Sequence, residues 1–263
     1  MAFVLTDDPV LAAYEGLAPF YDRFTASYAH ERWLDALERL AIEHGLSGRQ
    51  LLDVACGTGK SFLPMLARGY EVTACDLSPA MVDVAREKVS GLAEVFVADM
   101  RELPVVGEFD LITCLDDAVN YLLSEDDMHA AIAGMARNLS RGGLLVFDVN
   151  TLATYRQTFG ADAAAELGGA FFCWRGDAPP EIEPGLEAAA WVEVFRERDD
   201  GLWERTRSRH EQRHHPRASI EGAIARAGLE LAAVRGQLPG ARLEPELDEQ
   251  RHTKAVYLAR RPL

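Results

Sequence analysis

The sequence has few cysteines, few basic side chains and no long apolar run. Its four cysteines, at positions 56, 75, 114 and 173, form no CxxC or other paired pattern, which predicts reduced thiols in a cytoplasm. Only 27 Lys and Arg residues face 42 Asp and Glu residues, so the formal net charge is −15. Because phosphate binding needs a basic footprint, this charge argues against nucleic acid and anionic membrane surfaces as partners.

The sequence also shows no pattern typical of a membrane-spanning segment or a signal peptide. No stretch approaches 18 consecutive apolar residues, the length needed to span a bilayer. Residues 1–10 carry Asp7 and Asp8 and no basic leader, which is unlike a signal peptide. We therefore expect a cytoplasmic protein.

What is present is a chain of 263 residues, 48% of them hydrophobic, enough for one large domain or one and a half with a sizeable core. From Gln50 onward, short apolar runs alternate with helical patterns near 60–68, 79–90 and 125–139, the last closed by Arg141-Gly142-Gly143. Strands separated by helices predict a parallel sheet built from βαβ units. The strand candidates are Leu51–Ala55, Glu71–Cys75, Ala93–Ala98, Phe109–Leu115 and Leu144–Val149.

This alternation stops after Thr151, where two strand-like runs surround Asp199-Asp200-Gly201. A two-residue turn would place like charges opposite each other, whereas a three-residue loop with Gly201 left-handed pairs Arg196 with Glu204 and Glu193 with Arg207. We therefore predict an antiparallel sheet set into the main fold, followed by a helix from Pro216 to about 227 and strands near 229–235 and 254–260. The expected divisions are a helical lid at 1–45, a ligand-binding domain at 46–155, the β insert at 156–215 and a C-terminal part at 216–263.

The segment Leu51-Leu52-Asp53-Val54-Ala55-Cys56-Gly57-Thr58-Gly59 predicts a buried strand that ends in a glycine turn. Glycines at such a turn let the backbone approach a ligand, and the next helix offers free amide hydrogens. Gly59-Lys60-Ser61 imitates the end of a phosphate loop, but Val54 stands where that motif needs glycine. A dinucleotide fingerprint needs a small residue where this chain has Phe62. Both interpretations fail.

Two further acidic residues follow the next two predicted strands. Asp76 ends the second strand, at the position that reaches ribose hydroxyls in doubly wound folds. Asp99 ends the third, where an adenine amino group would lie. Each could instead cap a helix, but their occurrence together, in order and at strand ends, favours a nucleoside-binding site.

With these motifs, about residues 10–150 and the C-terminal strands resemble the class I S-adenosylmethionine-dependent methyltransferases. The motifs that carry the resemblance are the glycine turn, Asp76-Leu77-Ser78, Ala98-Asp99-Met100 and Phe109-Asp110-Leu111-Ile112-Thr113-Cys114. The segment Tyr14-Glu15-Gly16-Leu17-Ala18-Pro19-Phe20-Tyr21-Asp22 is similar to the small-molecule branch, which includes amino-sugar and glycine/sarcosine N-methyltransferases. The resemblance implies a doubly wound, Rossmann-like α/β fold with a seven-stranded sheet and an inserted antiparallel β-sheet.

The resemblance also implies a cofactor, S-adenosylmethionine, and the residues that bind it. Asp53, Ala55, Gly57 and Gly59 would cradle its methionine part, and Asp76 would hold the ribose diol, with Leu77 beside the adenine. Asp99 and Met100 would contact the adenine edge. Leu115 would lie under the sulfur, with Tyr14 and Tyr21 closing the site.

Catalytic candidates lie near the expected position of the transferred methyl group. They are Asp117, Asn120, Tyr21 and His210, with Asp116, Tyr121, Asp148 and Asn150 as further candidates; a general base is needed if the acceptor is a hydroxyl and less so for an amine. His210, His214 and His215 lie on mixed faces of a strand, and we expect no metal site. The expected reaction is methyl transfer to a nitrogen or oxygen atom of a small molecule, such as an antibiotic or amino-sugar intermediate, by a monomer or homodimer.

Two rival functions remain open at this point, a non-catalytic cofactor-binding protein and a nicotinamide dehydrogenase. The insert leaves two further choices. Arg205, Arg207, Arg209 and Arg213 share one face of the strand after Gly201, either as a solvated, Glu-paired surface or as an anion clamp. The aromatic side chains of the insert form either its own core or the roof of a substrate pocket; they are Phe171, Phe172, Trp174 and Trp191.

Overall fold

The computed structural model describes residues 8–28, 30–179 and 181–263. Its α-helices are α1 Pro9–Glu15, α2 Tyr21–Phe24, α3 His30–Glu43, α4 Leu63–Ala67, α5 Pro79–Val89, α6 Glu125–Asn138, α7 Leu152–Thr154 and α8 Arg217–Arg226. Its strands are β1 Gln50–Val54, β2 Glu71–Asp76, β3 Glu94–Val97, β4 Phe109–Cys114, β5 Leu139–Asn150, β6 Asp162–Leu167, β7 Ala170–Asp177, β8 Glu187–Glu197, β9 Trp203–Arg213, β10 Glu230–Leu238, β11 Arg242–Glu244 and β12 Lys254–Arg260. Short 3-10 helices cover Ala18–Phe20, Met100–Glu102 and Ala118–Tyr121, and a π-helix covers Tyr155–Phe159.

The main sheet has the order β11-β10-β12-β5-β4-β1-β2-β3. Strands β1 to β5 are parallel, and β12 pairs antiparallel with β5 and with β10. The doubly wound α/β fold is thus confirmed, but in the described ranges the sheet has eight strands, not seven, because the short β11 extends it beyond β10. The strand order reverses between β1 and β4, and a crevice opens at the carboxyl ends of the strands at such a point.

Helices cover both faces of this sheet, so neighbouring residues on one strand belong to opposite cores. Leu52 and Ile112 pack with α6 and α8, whereas Leu51 and Leu111 pack with α3, α4 and α5. All four side chains are almost fully buried, and each contributes about 1.5–3 kcal/mol by leaving water. The double burial explains why the strands read as continuous apolar runs.

The helix between β4 and β5 ends earlier than the sequence suggests. It closes at Asn138, and β5 begins at Leu139, so Arg141-Gly142-Gly143 is not its stop. These residues lie in an irregular start of β5, where the pairing with β4 shifts between Phe109 and Leu111 and Gly142 adopts a φ of +77°. No helix within the described ranges is long and apolar enough to cross a membrane.

The second sheet contains β6, β7, β8 and β9, all antiparallel. Arg196 pairs with Glu204 and Glu193 with Arg207, and Gly201 has a φ of +78°. The register predicted from charge pairing is therefore confirmed. Its inner face packs Phe172 and Val194 against Leu17 and Phe20. The second sheet, which we call the insert, therefore lies against the described N-terminal residues up to Glu43, which we call the lid.

Candidate active site

A first cavity lies over the carboxyl ends of β1 to β4, and we call it the strand-end cavity. Residues of α1 and α2 close it from above. The predicted ligand-binding residues that line it are Tyr14, Tyr21, Ala55, Gly57, Asp76, Leu77, Asp99, Met100 and Leu115. Side chains from four strand ends and the N-terminal segment therefore meet at one place.

The glycine turn gives this cavity its floor. Ala55 and Gly57 both adopt left-handed backbone, with φ of 57° and 53°, a conformation that is costly for a residue with a Cβ and is common at functional sites. The amide nitrogens of Gly57 and Ser78 donate to Asp76, at 2.8 and 2.9 Å from its two carboxylate oxygens. Burial raises the pKa of Asp76, and these hydrogen bonds partly offset the rise.

Asp53 and Gly59 lie beneath the cavity and are not among the residues that line it. Asp53 is 1% exposed and accepts hydrogen bonds from Thr113 Oγ1, at 2.5 Å, and from Ser61 Oγ. Burial raises its pKa to about 7, against the effect of both hydrogen bonds. Gly59 has a φ of +88°, and a Cβ there would meet the Phe62 ring at 3.0 Å. Both residues support the turn from below.

Arg101, which was not predicted as a site residue, binds the carboxylate of Asp99. Arg101 Nε lies 2.8 and 2.9 Å from the two oxygens of Asp99, and its Nη2 lies 2.5 Å from Asp8 Oδ2. Asp8 caps α1, so this cluster joins the lid to the strand-end cavity. The only feature of the sequence that could have predicted this ion pair is the spacing of two residues between Asp99 and Arg101.

A second cavity adjoins the first, and we call it the aromatic cavity. The two share Tyr14, Tyr21, Asp116 and Tyr121. Tyr14 packs edge-on against Tyr21 and Tyr121, with ring centroids 6.1 and 5.4 Å apart. Among the described residues, the aromatic side chains that line the aromatic cavity are Tyr14, Tyr21, Phe24, Tyr28, Trp33, Tyr121, Phe159 and Trp174.

One lysine in the wall of the aromatic cavity is surrounded by carboxylates. Lys254 Nζ lies 2.7 Å from Asp117 Oδ1, 2.6 Å from Asp148 Oδ2 and 4.0 Å from Asp116 Oδ1. Burial alone would lower its pKa, but the three carboxylates hold it well above the ordinary value. Burial raises the pKa of Asp148 to about 6 despite this contact. Lys254 was not predicted as a site residue, although it is one of only three lysines in the sequence.

Asp116 stands where the two cavities meet, and a histidine from the lid contacts it. Its Oδ2 lies 2.9 Å from Nε2 of His30, the first residue of α3. Burial would raise the pKa of Asp116, yet the hydrogen bond to His30 and the charge of Lys254 lower it. Asp116 and Asp117 both have positive φ, 59° and 55°, so strained backbone turns these carboxylates towards the cavity wall.

His210, predicted as a catalytic residue, lines the aromatic cavity from β9. Its Nδ1 lies 3.0 Å from Tyr121 Oη, and its Nε2 lies 3.0 Å from Ser208 Oγ. Burial lowers the pKa of His210 to about 4, so the ring is neutral near pH 7. A neutral ring that accepts from Tyr121 and donates to Ser208 satisfies both contacts.

Asn120 does not line either cavity, contrary to the prediction of a catalytic role. It is fully buried, donates to the carbonyl of Arg213 at 2.8 Å and accepts from the amide of Asn150 at 2.8 Å. Asp117, in contrast, lines the aromatic cavity, where Gln212 Nε2 donates to it at 2.5 Å.

His214 and His215, which directly follow β9, do not converge with His210. His214 pairs with Glu249 at 2.6 Å, and burial lowers the pKa of His215 to about 4. Among the described residues, no three His, Cys, Asp or Glu side chains are placed to hold a metal ion.

Arg205, Arg207 and Arg209 of β9 lie exposed on the outer face of the insert, whereas Arg213 is partly buried and donates to the carbonyl of Leu123 at 2.9 Å. Arg205 and Arg207 are exposed and contact Glu193 at 2.8 and 3.4 Å, and Arg207 stacks on Trp191 at 3.6 Å. This arrangement is the solvated, Glu-paired surface and not a clamp that faces the cavities. Of the insert's aromatic residues, Phe172 belongs to the core, Trp174 lines the aromatic cavity and Phe171 is exposed.

Comparisons with known proteins agree with this geometry. Residues 51–143 match the family model of a methyltransferase domain. A putative methyltransferase of Bacillus subtilis (strain 168) is 27% identical over 228 residues, 84% of this chain and 88% of the relative. The dTDP-4-amino-2,3,4,6-tetradeoxy-D-glucose N,N-dimethyltransferase of Saccharopolyspora spinosa is 35% identical over 100 residues, 38% of this chain and 40% of the relative.

A solved structure extends the likeness to the whole fold. The crystal structure of an S-adenosylmethionine-dependent methyltransferase from Clostridium acetobutylicum ATCC 824 superposes with a TM-score of 0.78 at 24% identity, covering 95% of this chain and 99% of that one. Neither a dehydrogenase nor a non-catalytic binding protein is supported by these matches. Together, these matches support an S-adenosylmethionine-dependent methyltransferase of the small-molecule class.

Proposed function

We propose that this enzyme methylates an amine nitrogen of a small molecule bound in the aromatic cavity. The observation that carries the proposal is the shared wall of the two cavities, formed by Tyr14, Tyr21, Asp116 and Tyr121. A methyl group held at this wall from the strand-end side would face an acceptor on the other side. The carboxylates of the aromatic cavity suit an amine, which is attracted to negative charge before it loses its proton.

The strand-end cavity suits S-adenosylmethionine by the chemistry of its donors and acceptors. Asp76, held by two backbone amides, retains lone pairs for a ribose diol, and Leu77, Met100 and Ala98 supply an apolar surface for adenine. When bound, the cofactor supplies a methyl group on a sulfonium, which is already activated for in-line displacement. Tyr21 and Leu115 would close the region around that sulfur.

The protein's own task is to orient the acceptor and to remove a proton. Fixing an acceptor lone pair on the sulfur–methyl axis supplies much of the barrier reduction. Asp116 is the best-placed ionised group to take the proton of an ammonium acceptor, because it borders both cavities and His30 lies 2.9 Å behind it. Asp117 is held by Lys254 and Gln212, so its role is to position the wall, and neutral His210 orients Tyr121.

An amino sugar or another natural-product intermediate is the substrate type that the relatives favour. The Saccharopolyspora spinosa relative is named for dimethylation of an amino sugar. The insert and the segment 237–241, which line the aromatic cavity here, determine which amine fits. We therefore propose that the reaction belongs to natural-product biosynthesis.

The proposal is tested in two stages. Calorimetry with S-adenosylmethionine and S-adenosylhomocysteine first establishes cofactor binding, with NAD as the negative control. Transfer of a radiolabelled methyl group is then measured across matched amino and hydroxy sugars. We expect transfer to the amines and a loss of at least about tenfold in kcat for Asp116→Asn, with a shifted pH–rate profile, if one general base acts. Exclusive methylation of the hydroxy compounds would contradict an amine acceptor.

A further inference from the structure

We infer that the aromatic cavity selects an organic cation and excludes acceptor portions that carry phosphate or carboxylate. This inference rests on the proposed function and narrows it from amines in general to amines without an anionic group inside the cavity. It is carried by the charges, the aromatic walls and two unpartnered polar atoms of this cavity.

The charges that line the aromatic cavity are unfavourable for an anion. Among the described residues, its charged side chains are Asp116, Asp117 and Lys254. Lys254 is already engaged by Asp117 and by the buried Asp148, at 2.7 and 2.6 Å, with Asp116 a little further away. A phosphate that approached Lys254 would displace these contacts and meet three carboxylates, which is strongly unfavourable where water is excluded.

The side chains best suited to phosphate are directed elsewhere. Successive residues of β9 point to opposite faces, so His210 and Gln212 line the cavity while Arg205, Arg207 and Arg209 remain exposed on the other face. Glu193, Trp191 and Asp177 hold these arginines by ion pairs and stacking. No arginine is among the described residues that line the aromatic cavity.

The walls offer instead what a cation uses. Aromatic faces attract an alkylammonium group through their quadrupole, most strongly for Trp and Tyr and where water is excluded. Lys254 already uses one such face, with its Nζ 5.5 Å from the Trp33 ring centroid. The remaining tyrosine and tryptophan rings surround the cavity on the lid and insert sides.

Two polar atoms in the wall of the aromatic cavity indicate which other functional groups the amine ligand carries. Trp33 is 5% exposed, and neither its Nε1 nor the Oε1 of Gln237 has a hydrogen-bond partner in the described part of the chain. Both residues line the aromatic cavity. An unpaired buried donor or acceptor costs about 1–3 kcal/mol, so a ligand that offers an oxygen to Trp33 and a hydroxyl to Gln237 removes that cost. A hydroxylated amine fits this set.

The inference is tested by binding to the enzyme saturated with S-adenosylhomocysteine. Calorimetry compares the affinities of benzyltrimethylammonium and benzyl phosphate, which share a ring and differ in charge. NMR then locates the bound probe through the indole N–H signal of Trp33, which is assigned with the variant Trp33→Phe. We expect the cation to bind at least tenfold more tightly and to shift the Trp33 signal. Failure of S-adenosylhomocysteine to bind would instead overturn the proposed function itself.

Variants then show which charge is responsible. Asp116→Asn is expected to weaken cation binding about tenfold, whereas Glu193→Gln, on the outer face of the insert, leaves it unchanged within twofold. Measurements on the wild-type enzyme are enough to overturn the inference. They would do so if benzyl phosphate bound as tightly as the cation or more tightly, or if the cation showed no saturable binding. The conclusion therefore does not depend on the folding of Asp116→Asn.

Discussion

The two adjoining cavities are built in different ways, and the difference explains what can be recognised in this chain. The strand-end cavity is built mainly from short segments that directly follow β1, β2, β3 and β4, so each wall is continuous in sequence. The aromatic cavity draws on the lid, the insert, the π-helix and the C-terminal segments. A site assembled from strand ends carries local motifs, whereas one assembled from distant segments does not.

Their acidic residues also do different work. In the strand-end cavity, backbone amides hold Asp76 and Arg101 holds Asp99, which fixes each carboxylate in a set direction. In the aromatic cavity, three carboxylates compete for one lysine, so negative charge remains available to a ligand. The first pattern suits hydrogen-bond recognition of a nucleoside, and the second suits attraction of a cation.

The largest effect that would separate the two cavities is expected for Asp76→Ala. Loss of this carboxylate removes the proposed ribose contacts and leaves the Gly57 and Ser78 amides without their acceptor. A cost of a few kcal/mol follows, on the order of a 100-fold loss of affinity for S-adenosylhomocysteine. Calorimetry measures it, with Asp83→Ala on the exposed side of α5 as the matched control. Unchanged affinity would show that Asp76 does not touch the cofactor.

The sequence was sufficient where chemistry and chain continuity coincide. The glycine turn, Asp76 and Asp99 follow their strands directly, and the hairpin register follows from pairing opposite charges. His30 and Asp116 are 86 residues apart, and Lys254 and Asp117 are 137 apart, so only the tertiary fold brings them together. The three residues of β11 are too few to show a strand period, and Asn120 was misjudged because its buried partners lie on other segments.

A smaller effect is expected from the pH dependence of stability at His210. Burial lowers the pKa of His210 to about 4 in the folded chain, against about 6.5 in the unfolded chain. The unfolded state therefore binds a proton first, and stability falls as the pH drops from 6.5 towards 4. This residue alone removes about 1.4 kcal/mol at pH 5.5. Urea denaturation at pH 7.5 and 5.5 measures it.

The variant His210→Gln separates the contribution of His210 to the pH dependence of stability from the contributions of other titrating groups. Asp148 and Asp53 have raised pKa values, so they act in the opposite direction, but they are present in both proteins. The difference between wild type and variant should thus change by about 1.4 kcal/mol between the two pH values. A constant difference would mean that His210 is protonated equally in both states and that the aromatic cavity is wetter than its burial suggests.

The smallest effect is expected on the outer face of the insert, where Arg207→Gln tests whether the arginines take part in binding. Arg207 is exposed, stacks on Trp191 and shares Glu193 with Arg205. Exposed pairs of this kind contribute roughly 0–1 kcal/mol, so stability should change by less than about 1 kcal/mol and methyl transfer by less than twofold. A tenfold rise in KM for an anionic acceptor would instead support the anion clamp, and it would place the substrate site on the opposite face of β9 and not in the aromatic cavity.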